Sequence, residues 1–226
     1  MSKAKVVQTQ IAYSRPEELT NIITHCLGAG LSFVGLVFLM LKCTSLGYSA
    51  LAIVSVFLYG LSMIVMFTIS ALYHSFKYGT RVRAVFRRLD HCSISILIFG
   101  TYAPTMLIGM MRGGTADNIW GYALFAVVCV MAILSIVFNA INVTKFKVFS
   151  LIAYVIMGWA CIVRIDRIAD LCGFGFFWFL LGGGVAYSVG IIFYAVKKIP
   201  FNHAVWHLFV LGGAALHYVG IYTYLL

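Results

Sequence analysis

Long apolar runs alternate along the chain with short stretches that are charged or rich in Gly and Asn. Seven runs have roughly the 20 residues that a helix needs to cross the hydrocarbon of a bilayer. The predicted spans are about 19–41, 49–76, 90–111, 119–139, 147–163, 173–196 and 204–225. None of the runs alternates in the manner of a membrane β-barrel strand, so the pattern predicts an all-α bundle of seven transmembrane helices.

The polar stretch before the first span lacks the short apolar region and the small-residue cleavage site of a secretory signal peptide. We therefore expect residues 1–18 to form a cytoplasmic N-terminal segment and residues 19–226 to form the transmembrane domain. The first span would then act as its own insertion signal.

The composition agrees with a polytopic membrane protein, because 63% of the residues are hydrophobic and 10% are charged, with a mean hydropathy of +1.02. Soluble domains have about 25% charged residues. The six cysteines are dispersed and are typical of small apolar packing residues, although Cys43 and Cys172 lie near the same predicted side and could pair. The net charge of +10 does not suggest a nucleic-acid partner, because the basic residues flank the spans, where they contact anionic lipid headgroups.

The distribution of basic residues predicts the orientation of the bundle. Seven spans place the N-terminus and the loops at 77–89, 140–146 and 197–203 on one side, and that side holds twelve of the 16 Lys and Arg residues. The other four are Lys42, Arg112, Arg164 and Arg167. By the positive-inside rule, the N-terminus is cytoplasmic and the C-terminus is external.

Ionisable residues at membrane depth are expensive unless they pair, bind or react, and four of them converge at the predicted cytoplasmic side. His74 lies at the end of the second span, Asp90 at the start of the third, and His203 and His207 at the start of the seventh. Residues i and i+4 share a helix face, so His203 and His207 can hold one ion together. His74 supplies a third imidazole, which predicts a three-histidine zinc site with an open fourth position.

Two polar residues lie close enough in depth to act beside such a metal. Asp90 could orient a ligand histidine or accept a proton from water, and Ser70, one turn deeper than His74, could donate a hydrogen bond to a developing oxyanion. The structural alternative is that these histidines are interfacial residues that hydrogen-bond to water or headgroups.

The remaining polar motifs have weaker predictions. Glu18, Asn21 and His25 form one stripe that either lines the cavity beside the metal or caps an interfacial helix turn. His217 lies about 15 Å along the helix from His207, so we expect it to pack or hydrogen-bond inside the bundle. His91 points away from Asp90 and is predicted to be interfacial. Pro104 is expected to shape its helix, and the glycines at 182–184 and 212–213 to permit close helix packing.

The candidate metal ligands, Asp90, Ser70 and the stripe on the first span fall within sequence motifs that resemble the hemolysin III family, the bacterial branch of the progestin and adipoQ receptor superfamily. The motifs are ELTNIITH at 18–25, SALYH at 70–74, LDHC at 89–92, GTYAP at 100–104 and NHAVWH at 202–207. The resemblance covers essentially the whole chain. It implies seven helices, a cytoplasmic N-terminus, and zinc held near the inner leaflet by residues matching His74, His203 and His207. Asp90 and Ser70 match the family's aspartate and serine beside the metal.

The resemblance also bounds the function. The given sequence shows no counterpart of the large soluble N-terminal region of the eukaryotic receptors, so we expect that a protein-hormone receptor role does not carry over. The wider superfamily includes alkaline ceramidases, which makes hydrolysis of a lipid amide or ester the leading hypothesis, in a multi-pass protein of the bacterial inner membrane. The alternative is a non-enzymatic, zinc-stabilised regulator, sensor or transport-like protein of lipid or ion homeostasis. A pore-forming cytolysin is the weakest hypothesis, because no amphipathic segment suggests it.

Overall fold

The computed structural model describes residues 12–196 and 198–226, which form helices and no strands. The α-helices are α1 (Arg15–Ser45), α2 (Ala50–Ser75), α3 (Arg81–Pro104), α4 (Thr115–Asn142), α5 (Lys147–Trp159), α6 (Ile165–Ala195) and α7 (Asn202–Gly220). Helix α3 continues as a π-helix over Thr105–Gly109 and a 3₁₀ turn over Met110–Arg112, and α7 continues as a π-helix over Ile221–Leu225. A 3₁₀ segment, Ala160–Arg164, joins α5 to α6.

Six stretches of the described chain are long and apolar enough to cross a membrane. They are Arg15–Ser45, Ala50–Ser75, Arg81–Arg112, Thr115–Asn142, Lys147–Ala195 and Asn202–Leu225. The fifth stretch has 49 residues and contains both α5 and α6, which the sequence pattern predicted as separate spans. A straight helix of that length would be about 73 Å long, more than twice the hydrocarbon thickness.

This 49-residue stretch folds back on itself. In one straight helix, residues 159 and 188 would lie about 44 Å apart. Instead, the indole nitrogen of Trp159 donates a 3.0 Å hydrogen bond to the hydroxyl of Ser188. Between them, Gly173 has φ +85° and ψ 155°, a left-handed backbone conformation that favours glycine. Helices α5 and α6 therefore run back along one another.

Local chemistry at three helix starts agrees with the polar breaks in the sequence. Ser14 and Glu17 form a capping box at the start of α1, while Ser49 and Thr80 accept backbone hydrogen bonds at the starts of α2 and α3. Helix α3 begins at Arg81, ahead of the predicted residue 90. Its extra turns are basic rather than apolar, so hydropathy did not indicate them.

Helices α6 and α7 approach closely through a reciprocal arrangement of glycine and ring side chains. A Cβ atom on Gly183 would overlap the ring of His217, and one on Gly213 would lie 2.9 Å from the ring of Tyr187. Each glycine precedes a ring residue by one helical turn on its own helix, so each ring covers the glycine of the other helix. This agrees with the packing role predicted for these glycines and fixes α7, which carries His203 and His207.

A buried polar network joins α3, α4 and α5. The amide of Asn139 donates to the hydroxyl of Tyr154 at 3.0 Å and accepts from Ser150 at 2.8 Å, and Tyr154 donates to the backbone carbonyl of His91 at 2.7 Å.

All six cysteines are free thiols, so the Cys43–Cys172 pairing considered from the sequence is absent from the described residues. Both of these cysteines are buried and act as packing residues.

Candidate metal centre

Three histidines from two helices bring their ring nitrogens together at one end of the bundle. The Nε2 atom of His203 lies 3.2 Å from Nε2 of His74 and 3.1 Å from Nε2 of His207. One nitrogen from each ring lies within 4.8 Å of the other two, and all three residues are buried. The group could therefore hold a metal ion.

The spacing of these nitrogens fits a tetrahedral metal. Zinc binds histidine nitrogen at about 2.0–2.1 Å, so two ligands of a tetrahedral site lie about 3.3–3.4 Å apart. The two shortest separations, 3.2 and 3.1 Å, are close to that edge length. Three imidazoles would fill three corners of a tetrahedral zinc site and leave the fourth corner to another ligand. The donor set is one that zinc commonly takes in catalytic sites.

Elements on either side of the triad fix its geometry. His74 lies in the last turn of α2, and His203 and His207 lie one turn apart at the start of α7. Phe201 precedes α7 in a left-handed conformation, with φ +56°. The side chain of Asn202 then donates to the carbonyls of Phe193 and Tyr194 at the end of α6, which anchors the start of α7.

The stripe predicted on the first span lies directly beside the triad. The Oε2 atom of Glu18 lies 2.7 Å from Nδ1 of His74, and Nδ2 of Asn21 lies 3.3 Å from the same nitrogen. His25 stacks on His207 with ring centroids 3.6 Å apart. All three residues therefore contact the triad, and His25 also lines the adjoining cavity.

Two further residues contact this group without having been singled out from the sequence. Tyr13 stacks on His203 with ring centroids 4.9 Å apart, and its burial raises the pKa of its phenol above the ordinary value, so it stays neutral. Arg83 pairs with Glu18. The sequence does contain a signal that could have identified Arg83. Arg83 shares one helix face with Arg87 and Asp90, at positions i, i+4 and i+7.

A cavity of about 380 Å³ extends from the triad into the bundle. Ser70, Asp90, His203 and His207 line it, together with apolar side chains that reach as far as Met106. Its volume lies within the range of about 300–1,000 Å³ that is usual for small-molecule sites. The residues predicted as ligands and as their polar neighbours therefore line one cavity, with the exception of His74. His74 contacts His203 but is not among the residues that line the cavity.

Two other histidines, His91 and His217, are separate from the triad. His217 lines the deeper part of the cavity, and its Nε2 lies 3.1 Å from the carbonyl of Leu180, which is the bundle contact predicted for it. His91 also lines the cavity, and its Nδ1 lies 2.9 Å from the carbonyl of Arg87. The prediction that His91 is interfacial was wrong in this respect, because the ring lines the cavity inside the bundle.

Comparison with known proteins gives one consistent family. The profile of the family described as "Haemolysin-III related" matches residues 13–218. The chain is 42% identical to "Hemolysin-3" of Bacillus cereus over 93% of this chain and 92% of the relative. It is 40% identical to "Hemolysin-3 homolog" of Bacillus subtilis (strain 168) over 92% and 94%.

A more distant similarity extends to animal proteins. "Monocyte to macrophage differentiation factor" of Homo sapiens is 27% identical over 76% of this chain and 71% of the relative. The matched profile covers nearly all of the described helices, including the three that carry the histidines and Asp90. The chain is therefore a multi-pass membrane protein that belongs to the Haemolysin-III related family.

Proposed function

We propose that this protein is a zinc-dependent intramembrane hydrolase that cleaves a lipid amide or ester. The observation that carries the proposal is a buried three-histidine group at the end of a mainly apolar cavity that a carboxylate and a hydroxyl also line. A site that only stabilised the fold would be closed by a fourth protein ligand. Within residues 12–196 and 198–226, this group has three ligand residues and opens toward a cavity that can hold an acyl chain.

The proposed chemistry divides among a few side chains. His74, His203 and His207 would hold zinc, which when bound supplies a Lewis acid that polarises a carbonyl and acidifies water. Asp90 would accept a proton from the attacking water and deliver it to the leaving group. Ser70, which is 2% exposed, would donate a hydrogen bond to the carbonyl oxygen as negative charge develops on it. The apolar cavity wall would hold the acyl chain and exclude bulk water.

The proposed membrane topology has seven spans, a cytoplasmic N-terminus and an external C-terminus, in a bacterial inner membrane. The reversal between Trp159 and Ser188 supports counting α5 and α6 separately. Thirteen residues of α5 and five of the 3₁₀ segment give about 30 Å, which is the thickness of the hydrocarbon. The topology predicted from the sequence assigns twelve of the 16 basic residues to the side on which the triad residues were predicted, which supports a cytoplasmic site.

Purified protein, incubated with a ceramide as the amide probe and a diacyl phosphatidylglycerol as the ester probe, tests the activity. Mass spectrometry of released fatty acid should show turnover that stops after zinc is removed by chelation and returns when zinc is added. Asp90→Asn should keep its zinc and lose about 10²–10⁴-fold in rate. Asp170→Asn is the matched control, because this exposed carboxylate pairs with Arg167 away from the triad. Unchanged turnover in chelated protein would refute the proposal.

A second candidate is a non-enzymatic protein in which zinc cross-links α2 and α7. It is favoured by the fact that the triad takes one ligand from the end of α2 and two from the start of α7. In that case His203→Ala should lower thermal stability sharply, while Asp90→Asn should leave biological function intact. A stable Asp90→Asn protein without function would instead favour hydrolysis.

A further inference from the structure

Glu18 joins the candidate metal centre to a buried arginine. One carboxylate oxygen lies 2.7 Å from Nδ1 of His74, and the other accepts a hydrogen bond from Nη2 of Arg83. His74 and Arg83 are each 2% exposed. Buried ionic groups persist where they are paired and hydrogen-bonded, so Glu18 is the natural counter-ion of Arg83 and leaves one oxygen for the histidine.

We propose that Glu18 is a positioning residue that holds the proton of His74 on Nδ1 and so turns the lone pair of Nε2 toward the metal. The inference rests on the proposed zinc site. A neutral imidazole carries one N–H, and the nitrogen opposite to it is the one that can bind a metal. A carboxylate paired with a guanidinium accepts hydrogen bonds, so Nδ1 donates to Glu18 and Nε2 faces the Nε2 of His203.

The second polar neighbour of His74 does not replace the carboxylate. The amide nitrogen of Asn21 lies 3.3 Å from the same Nδ1, farther than the oxygen of Glu18. An amide N–H donates and cannot accept the imidazole proton. Glu18 therefore sets the tautomer, and Asn21 packs beside the ring. A carboxylate in this position also makes the imidazole a stronger metal ligand.

Arg83 is itself held in place, which makes the position of Glu18 rigid. Its Nη1 donates to the carbonyl of Phe76 at 2.8 Å, and its guanidinium lies 4.8 Å from the centre of the Tyr73 ring. These contacts come from the end of α2 and the residue that follows it, next to His74. Contacts thus run from Arg83 on α3 through Glu18 on α1 to His74 on α2, and they fix the orientation of this metal ligand.

The closing experiment compares Glu18→Gln with Glu17→Gln in the full-length protein. Glutamine keeps the shape of Glu18 but accepts the imidazole proton more weakly and loses its charge pairing with Arg83. Glu17 is the matched control, because it is the residue directly before Glu18 on α1 and contacts Ser14 at the helix cap. Zinc affinity is measured by competition with a chelator, and the visible spectrum is recorded after substitution with Co²⁺.

We expect Glu18→Gln to weaken zinc binding about 10–100-fold and to shift the Co²⁺ bands, while Glu17→Gln changes neither. The difference in melting temperature between the zinc-bound and the zinc-free protein isolates the positioning role, because losing the buried ion pair with Arg83 lowers both values, whereas weaker zinc binding lowers only the zinc-bound value. If Glu18→Gln does not fold, Arg83→Gln replaces it with the same expected direction.

The two proposals fail in different ways. Wild-type affinity and an unchanged Co²⁺ spectrum in Glu18→Gln would overturn the positioning role and leave the zinc site standing. A wild-type protein that binds neither zinc nor Co²⁺ would overturn both. Equal losses in Glu18→Gln and Glu17→Gln would also overturn the positioning role, because they would report the stability of the start of α1.

Discussion

The close packing of α6 against α7 gives a sharp prediction, because each tight glycine has a loosely packed neighbour. A Cβ atom on Gly183 would overlap the ring of His217, whereas one on Gly182 would lie 3.6 Å from Leu216 in ordinary contact. On α7, a Cβ atom on Gly213 would lie 2.9 Å from the Tyr187 ring, and one on Gly212 would meet nothing within 4 Å. Alanine at each position therefore separates packing from helix propensity.

The magnitude follows from two opposing effects. Replacing a helical glycine by alanine stabilises a helix by about 0.5–1 kcal/mol, and this gain is common to all four variants. Overpacking a tight site costs about 1–3 kcal/mol. The ring of His217 cannot swing away freely, because its Nε2 is hydrogen-bonded to the carbonyl of Leu180. The difference within each pair is thus the overpacking cost alone, about 1–3 kcal/mol.

The assay is the melting temperature of detergent-solubilised protein. It is obtained by heating samples and measuring how much protein remains in the monodisperse peak in size-exclusion chromatography. For a chain of this size, 1 kcal/mol corresponds to about 2–4 °C. Gly183→Ala should therefore melt about 2–12 °C below Gly182→Ala, and Gly213→Ala should differ from Gly212→Ala by a similar amount. Equal melting temperatures within both pairs would refute the packing argument.

Three further outcomes are expected. His207→Gln should lose bound zinc in metal analysis whereas His217→Gln retains it, and loss in both would contradict the separation of the two histidines along α7. Asn139→Leu should lower stability by about 1–3 kcal/mol, since it removes two hydrogen bonds between α4 and α5; an unchanged melting temperature would show that the network contributes nothing. Alkylation of denatured, unreduced protein should label all six cysteines, and protection of Cys43 and Cys172 would reveal a disulfide.

Much of the candidate site was accessible from one-dimensional information. The ends of apolar runs set the depth of His74, Asp90 and His203, and the helical period places His207 one turn after His203. The structure brings the three histidines into one group and puts Asp90 on the wall of the adjoining cavity. Depth could be predicted because the bilayer thickness limits where a span begins and ends.

The lateral order of the helices was not accessible in the same way. Hydropathy reports how deep a residue lies, and it carries no information on which helices are neighbours around the bundle. Glu18 and Arg83 are at comparable depth on α1 and α3, yet only the packing shows that both reach His74 and its surroundings. The position of His91 on the cavity wall likewise depended on how the helices pack, which hydropathy does not report.

The sequence by itself determined that the chain is a helical membrane protein with a histidine-rich end, because burial in lipid demands long apolar helices and penalises unpaired ionisable groups. The tertiary structure decided which ring nitrogens lie about as far apart as two ligands of a tetrahedral zinc site. It also decided which carboxylate contacts the ring of His74. It also decided that α5 and α6 fold back on one another and that a cavity opens beside the triad. These features depend on contacts between residues far apart in the chain, and such contacts form only when the helices pack.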